Sequence, residues 1–180
     1  LLLAYSLQIY FDFAGYTDIA IGLGRLLGVR LPENFNHPYR KPNLTQFWNN
    51  WHMSLTQWFR AYVFNPLTRV LRSRGSLPVW AIVLITQLAT MTLIGLWHGV
   101  TPGFVLWGLW HGLGLFVHNR WSDWIKPRAA VLNASPVLAA VLPPLSTAFT
   151  FVYVSLGWVW FALPDAGLAA RTLLRLFGIG

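Results

Sequence analysis

Two stretches of this chain, Leu77–Leu96 and Pro136–Leu163, contain no Asp, Glu, Lys or Arg. A helix needs about 20 apolar residues to cross the roughly 30 Å hydrocarbon core of a bilayer. Within that core every backbone N–H and C=O must be satisfied inside the segment, so both stretches are predicted to be membrane helices. Composition agrees. Only 10% of the 180 residues are charged and 56% are hydrophobic, whereas a soluble domain spends about a quarter of its residues on charge. The 11 Trp and 6 Tyr suit rings that settle at headgroup depth. The expected fold class is an all-α, polytopic membrane protein of the inner (plasma) membrane.

The net charge of +8 does not indicate nucleic acid, because the basic residues lie between apolar runs, as membrane flanks do. From Arg25 to Arg74 there are eight basic residues and one acid, Glu33. That segment is predicted to be cytoplasmic. The Arg120–Arg128 loop, two spans later, is predicted on the same side, and the turn at Trp97-His98 and the tail after Leu163 on the other. The absence of cysteine excludes disulfides, thiolate metal sites and a catalytic thiol. The chain opens at Leu1 inside an apolar run, without a signal-peptide pattern. Residues 1–180 are expected to be one partial membrane domain whose N-terminal part is missing, with at most four spans.

Along the chain, Leu1–Phe13 is expected to be the exit end of a membrane helix, and Ile19–Leu27 continues it. Gly22, Gly24 and Gly28 have the small-residue spacing of close helix packing. Asp12 and Asp18 lie too near aqueous flanks to count as intramembrane acids. Residues 30–75 form a polar, cytoplasmic-side segment with four prolines, yet it is rich in aromatics. That combination suits an interfacial or re-entrant segment packed on other helices. Within it Thr45–Tyr62 is predicted to be one helix, with Trp48, Trp51, Leu55, Trp58, Phe59 and Tyr62 on its apolar face. Thr101-Pro102 opens a helix expected to reach about His118. Pro143-Pro144 is expected to bend the span starting at Pro136. Asp165–Phe177 is amphipathic and suits a membrane surface.

The chemistry is expected at histidine. His98 ends the charge-free span in Leu96-Trp97-His98-Gly99, and His111 follows in Trp110-His111-Gly112. An ionisable side chain within a membrane is costly and usually faces a cavity, a partner or a substrate path. A neutral imidazole in a dry cavity can accept a proton from an alcohol and so support acyl transfer. By composition alone His98 reads equally as such a base or as a packed ring, and His111 reads as packing or as support for the site. Arg40, Lys41 and Arg60 have the charge to attract the phosphates of coenzyme A, although membrane anchoring explains them more simply.

Four separated motifs add to this reading. They are Tyr10-Phe11-Asp12-Phe13-Ala14-Gly15-Tyr16-Thr17-Asp18-Ile19-Ala20, then Pro32-Glu33-Asn34-Phe35, then Phe47-Trp48-Asn49-Asn50-Trp51-His52-Met53-Ser54-Leu55, then Leu96-Trp97-His98-Gly99. Their order and spacing resemble the membrane-bound O-acyltransferase family. Ser155-Leu156-Gly157-Trp158-Val159-Trp160-Phe161 is similar to the alginate O-acetyltransferase branch, although Ala162 stands where that branch usually has Arg. The resemblance implies a helical fold around a tunnel joining the two leaflets. It implies His98 and His52 as catalytic residues, with Trp97, Trp51, Asn50 and His111 near the substrates. It further implies no bound cofactor or metal, and acetyl-CoA or another acyl thioester as donor. The expected partners are the lipid bilayer, a polysaccharide acceptor and an extracytoplasmic acetyltransferase.

Three other readings compete. D-alanyl transfer to teichoic acid uses the same family fold. The spacing of His98 and His111 resembles that of haem-binding helices, although Pro102 and Gly103 interrupt it. A transporter would use His98 in a proton relay.

Overall fold

The computed structural model describes residues 1–128, 134–163 and 165–179. Among these residues every regular element is helical. The α-helices are α1 (Leu2–Leu26), α2 (Leu44–Asn50), α3 (Met53–Phe59), α4 (Asn65–Ser73), α5 (Val79–His98), α6 (Pro102–Ile125), α7 (Pro136–Ala162) and α8 (Ala166–Leu176). Short 3-10 turns cover Pro38–Arg40 and Lys126–Arg128, and a π-turn covers Arg60–Phe64. Of the spans expected, at most four, α5 and α7 are long and apolar enough to cross a bilayer. Helices α1 and α6, of 25 and 24 residues, have the length but are less apolar.

Helices α5 and α6 form an antiparallel hairpin. Thr101 caps α6 by accepting from the Phe104 N–H at 3.4 Å, and Pro102 occupies the first turn. The two backbones nearly touch. A Cβ at Gly108 would lie 2.5 Å from the Met91 carbonyl oxygen, and one at Gly112 would lie 3.1 Å from the Leu88 Cα. Small residues allow this approach, which gives dispersion contact where lipid offers no hydrophobic drive. Among the described residues no other helix packs closely on Gly22, Gly24 or Gly28. A Cβ at Gly22 meets nothing within 4 Å, Gly24 meets only the following loop, and Gly28 ends α1 at φ +76. Helix α6 also continues past His118, because Arg120 and Asp123 pair at 2.8 Å across one exposed turn. The expected Arg120–Arg128 loop is therefore the end of α6 and the 3-10 turn that follows it; residues 129–133 lie outside the described residues.

The expected single helix Thr45–Tyr62 is broken. Helix α2 stops at Asn50, His52 takes a left-handed conformation at φ 43 and ψ 57, and α3 begins at Met53. From Met53 the chain stays helical to Ser73. The π-turn lies just before Pro66, whose ring would otherwise crowd the carbonyl four residues back. Helix α2, its C-cap Trp51 and the end of α3 supply the core rather than a surface. Phe47, Trp48, Trp51 and Phe59 are buried together with Trp107, Trp158, Met91, Ile94 and Val154.

Polar contacts place α1 and α7 around that core. The hydroxyls of Ser6 and Ser155 meet at 2.9 Å, both buried. Tyr39 donates to the Ser6 carbonyl at 2.7 Å and accepts from the Trp158 indole N–H at 3.2 Å. One tyrosine thus joins α1, α7 and the loop between α1 and α2. Helix α8 is amphipathic as expected. Ala169 and Leu173 pack on Val159, while Leu168, Leu174 and Phe177 are exposed.

Candidate functional site

The backbone break at His52 is held by a segment distant in sequence. The Met53 N–H donates to the Asn34 carbonyl at 3.0 Å, and the Asn36 N–H donates to the Asn50 carbonyl at 3.1 Å. The Asn34 side-chain oxygen accepts the Ser54 N–H at 3.2 Å and the Ser54 hydroxyl at 2.6 Å. Nδ1 of His52 lies 3.3 Å from that same oxygen. An atom that accepts a backbone N–H is an acceptor, so Nδ1 of His52 carries the hydrogen and Nε2 keeps its lone pair. The ring also packs edge-on against Phe13 at 4.7 Å. Burial pushes its pKa below the usual histidine range, which favours the neutral form.

His98 closes α5. Its ring lies among Trp97 at 4.8 Å, Phe161 at 4.9 Å, Trp107 at 5.5 Å and Phe104 at 5.9 Å. His52 and His98 both line one cavity of about 450 Å³, a size typical of small-molecule sites. Trp48, Trp51, Trp107, Trp158 and Phe161 make much of its wall. Helix α1 supplies the remaining side through Tyr5, Gln8, Ile9, Asp12 and Phe13, which recur at three- and four-residue steps on one face. Gln8 and Asp12 are exposed, so the cavity is open along α1.

The other site residues expected from sequence fall in different places. Trp51 is buried in the cavity wall. Trp97 is 57% exposed and does not line the cavity, although its ring stands 6.1 Å from His52. Asn50 turns back on its own helix, donating to the Gln46 carbonyl at 2.7 Å, and stays outside the cavity. His111 is fully buried between Trp48 at 5.1 Å and Trp107 at 5.0 Å, lines neither cavity, and has no hydrogen-bond partner at either ring nitrogen among the described residues. A ring so enclosed leaves no room for a haem plane. Gly157 completes that enclosure, since a Cβ there would lie 2.8 Å from Nε2 of His111.

Asp12 and Gln8 were not read from sequence as site residues. Asp12 is the one carboxylate in the cavity lining and shares it with both histidines. The available signal was their i, i+4 spacing on a face otherwise made of Tyr5, Ile9 and Phe13.

The model of the membrane-bound O-acyltransferase family matches residues 1–156. The chain is 40% identical over 179 residues to the "Probable alginate O-acetylase AlgI" of Pseudomonas aeruginosa, covering 99% of this chain and 31% of the relative. It is 35% identical over 178 residues to the peptidoglycan O-acetyltransferase of Helicobacter pylori, covering 98% of this chain and 31% of that protein. The teichoic acid D-alanyltransferase of Bacillus subtilis is 37% identical over 123 residues, which are 68% of this chain and 31% of that protein. The chain therefore spans about a third of the length of the curated relatives it matches.

Proposed function

We propose that this chain, which belongs to the membrane-bound O-acyltransferase family, is part of an enzyme that moves an acyl group from a thioester donor to a hydroxyl acceptor. The enzyme sits in the inner membrane as a multi-pass protein. The acyl group is acetyl, the donor is acetyl-CoA or another cytoplasmic thioester, and the acceptor is an extracytoplasmic polysaccharide. An extracytoplasmic transferase is the natural partner for delivery to the polymer. The basic run Arg25–Arg74 supports a cytoplasmic donor side.

The observation that carries the proposal is the single cavity lined by both His52 and His98. Acyl transfer needs a base beside the attacking hydroxyl and a site shielded from competing water. In the proposed reaction the acceptor oxygen attacks the thioester carbonyl while its proton passes to His98. The new O–C bond forms, the C–S bond breaks, and the proton leaves with the thiol. Nε2 of His52, left free by the Asn34 contact, orients a substrate hydroxyl or carbonyl.

D-alanyl transfer is the second reading. Acetyl is favoured because the relatives named for O-acetylation align over 178 to 179 residues, nearly the whole chain. The D-alanyl relative aligns over 123 residues. The experiment is to supply labelled acetyl and D-alanyl thioesters to membranes containing the intact protein and a polysaccharide acceptor. Acetyl incorporation is expected, and label from D-alanyl alone would reverse the choice.

A further inference from the structure

The cavity that holds both histidines differs in charge from the rest of the chain. The sequence has 13 Lys and Arg against 5 Asp and Glu. Among the described residues no Lys or Arg lines this cavity, and its one formal charge is the Asp12 carboxylate. An adjoining cavity of about 370 Å³ has Arg60 in its lining instead. The ion pairs among the described residues join Arg25 to Glu33 and Asp123 to Arg120 and Lys126, so none of them neutralises Asp12. Asp12 lies near the middle of α1. A lone ionisable group there, on a helix of bilayer length, is costly unless it faces a partner or a substrate path.

Gln8 stands one turn before Asp12 on the same face, and Tyr5 one turn before Gln8. All three line the cavity. Gln8 and Asp12 are exposed, on the side where the cavity opens. A polymer does not fit whole into about 450 Å³. One residue of it enters through the open side and passes this polar row.

The row states what it takes. A carboxylate accepts from hydroxyls, whereas an amide and a phenol each donate and accept. Neighbouring hydroxyls of a sugar ring match that set. Trp51, Trp158 and Phe161 in the remaining wall suit the C–H face of such a ring. An acidic sugar does not match. It would bring its own carboxylate beside Asp12 with no lining cation to offset it, and like charges brought together are penalised.

We infer that Tyr5, Gln8 and Asp12 form the acceptor subsite, and that this subsite selects a neutral, hydroxyl-rich sugar residue over an acidic one. The inference rests on the acyl-transfer reading and names the class of acceptor that presents its hydroxyl to His98. Asp12 binds and selects, and proton transfer stays with His98.

The test is binding without donor. The probes are a neutral glucan tetrasaccharide and a polyuronate tetrasaccharide, each titrated against the intact protein in detergent. The glucan should bind at least about tenfold tighter. Asp12→Asn keeps the size of the side chain and removes its charge. It should weaken the glucan roughly threefold to tenfold, as a charge-assisted hydrogen bond becomes a neutral one, and should strengthen the polyuronate. Asp12→Glu keeps the charge and should keep the preference. Gln8→Leu should weaken the glucan while the polyuronate stays excluded. Thermal midpoints of the Asp12 variants should match the wild type, because the carboxylate has no ion-pair partner among the described residues. Tighter binding of the polyuronate, a preference unchanged in Asp12→Asn, or failure of both probes to bind overturns the subsite. Glucan binding with the expected variant pattern, in a protein that transfers no acyl group, leaves the subsite standing and overturns the acyl-transfer reading instead.

Discussion

Nδ1 of His52 lies 3.3 Å from the side-chain oxygen of Asn34, an atom already committed to accepting from Ser54. That contact selects the ring tautomer and leaves Nε2 free to accept. Asn34→Leu should lower acyl transfer about fivefold, in line with a hydrogen bond to the ring worth ~1 kcal/mol. Asn34→Asp should keep the contact but place an anion beside the ring. An anion favours the charged imidazole and raises its pKa. The ring would then protonate at higher pH, so the acid limb of the pH–rate profile should move to higher pH than in the wild type. Steady-state rates across a pH series would check both.

The left-handed backbone of His52 separates its structural cost from its chemical role. Glycine adopts that conformation freely, whereas alanine is disfavoured there by about 1–2 kcal/mol. His52→Gly should therefore melt higher than His52→Ala, by a thermal scan in detergent, while both variants lose most of the activity. Equal melting would mean that the backbone relaxes when the ring is removed.

The approach of α5 to α6 positions His98 at the end of α5. Gly108→Ala would place a methyl 2.5 Å from the Met91 carbonyl oxygen. Overpacking of this kind costs about 1–3 kcal/mol. A lowered thermal midpoint is expected, with weaker transfer because the helix carrying His98 shifts. Gly22→Ala meets open space within this chain and should do neither.

His111 is enclosed in the core with both ring nitrogens unpaired among the described residues. Replacing an unpaired buried polar ring by an apolar side chain removes a desolvation penalty. His111→Leu should keep acyl transfer within a few-fold of wild type and should not lower the thermal midpoint. Loss of transfer at full stability would draw His111 into the reaction.

The legible and illegible parts of this chain differ in physical origin. The spans α5 and α7 and the capped start of α6 follow from local rules: apolar length, Pro in the first turn, and Thr at the cap. The amphipathic helix α8 follows from periodicity. The break at His52 does not, because the hydrogen bonds that hold it come from Asn34 and Asn36, far away in sequence. An apolar face at helical spacing from Trp48 to Tyr62 reads as one continuous helix whether or not such a partner exists. Asp12 was hidden for a similar reason. Its flanks look aqueous, and only the placement of α1 beside the cavity gives it a role. Trp97, Asn50 and His111 were grouped with the site by their neighbours in sequence. Side chains on successive helix positions point in different directions, and these three lie outside the cavity lining.

In the proposed reaction His98 takes the proton from the acceptor hydroxyl. The decisive measurement is acetyl incorporation into polysaccharide by membranes carrying His98→Gln, at matched protein level and with an unchanged thermal midpoint. The account predicts loss of transfer by at least about a hundredfold, the lower bound typical of a general base. Wild-type incorporation by that variant would contradict the account.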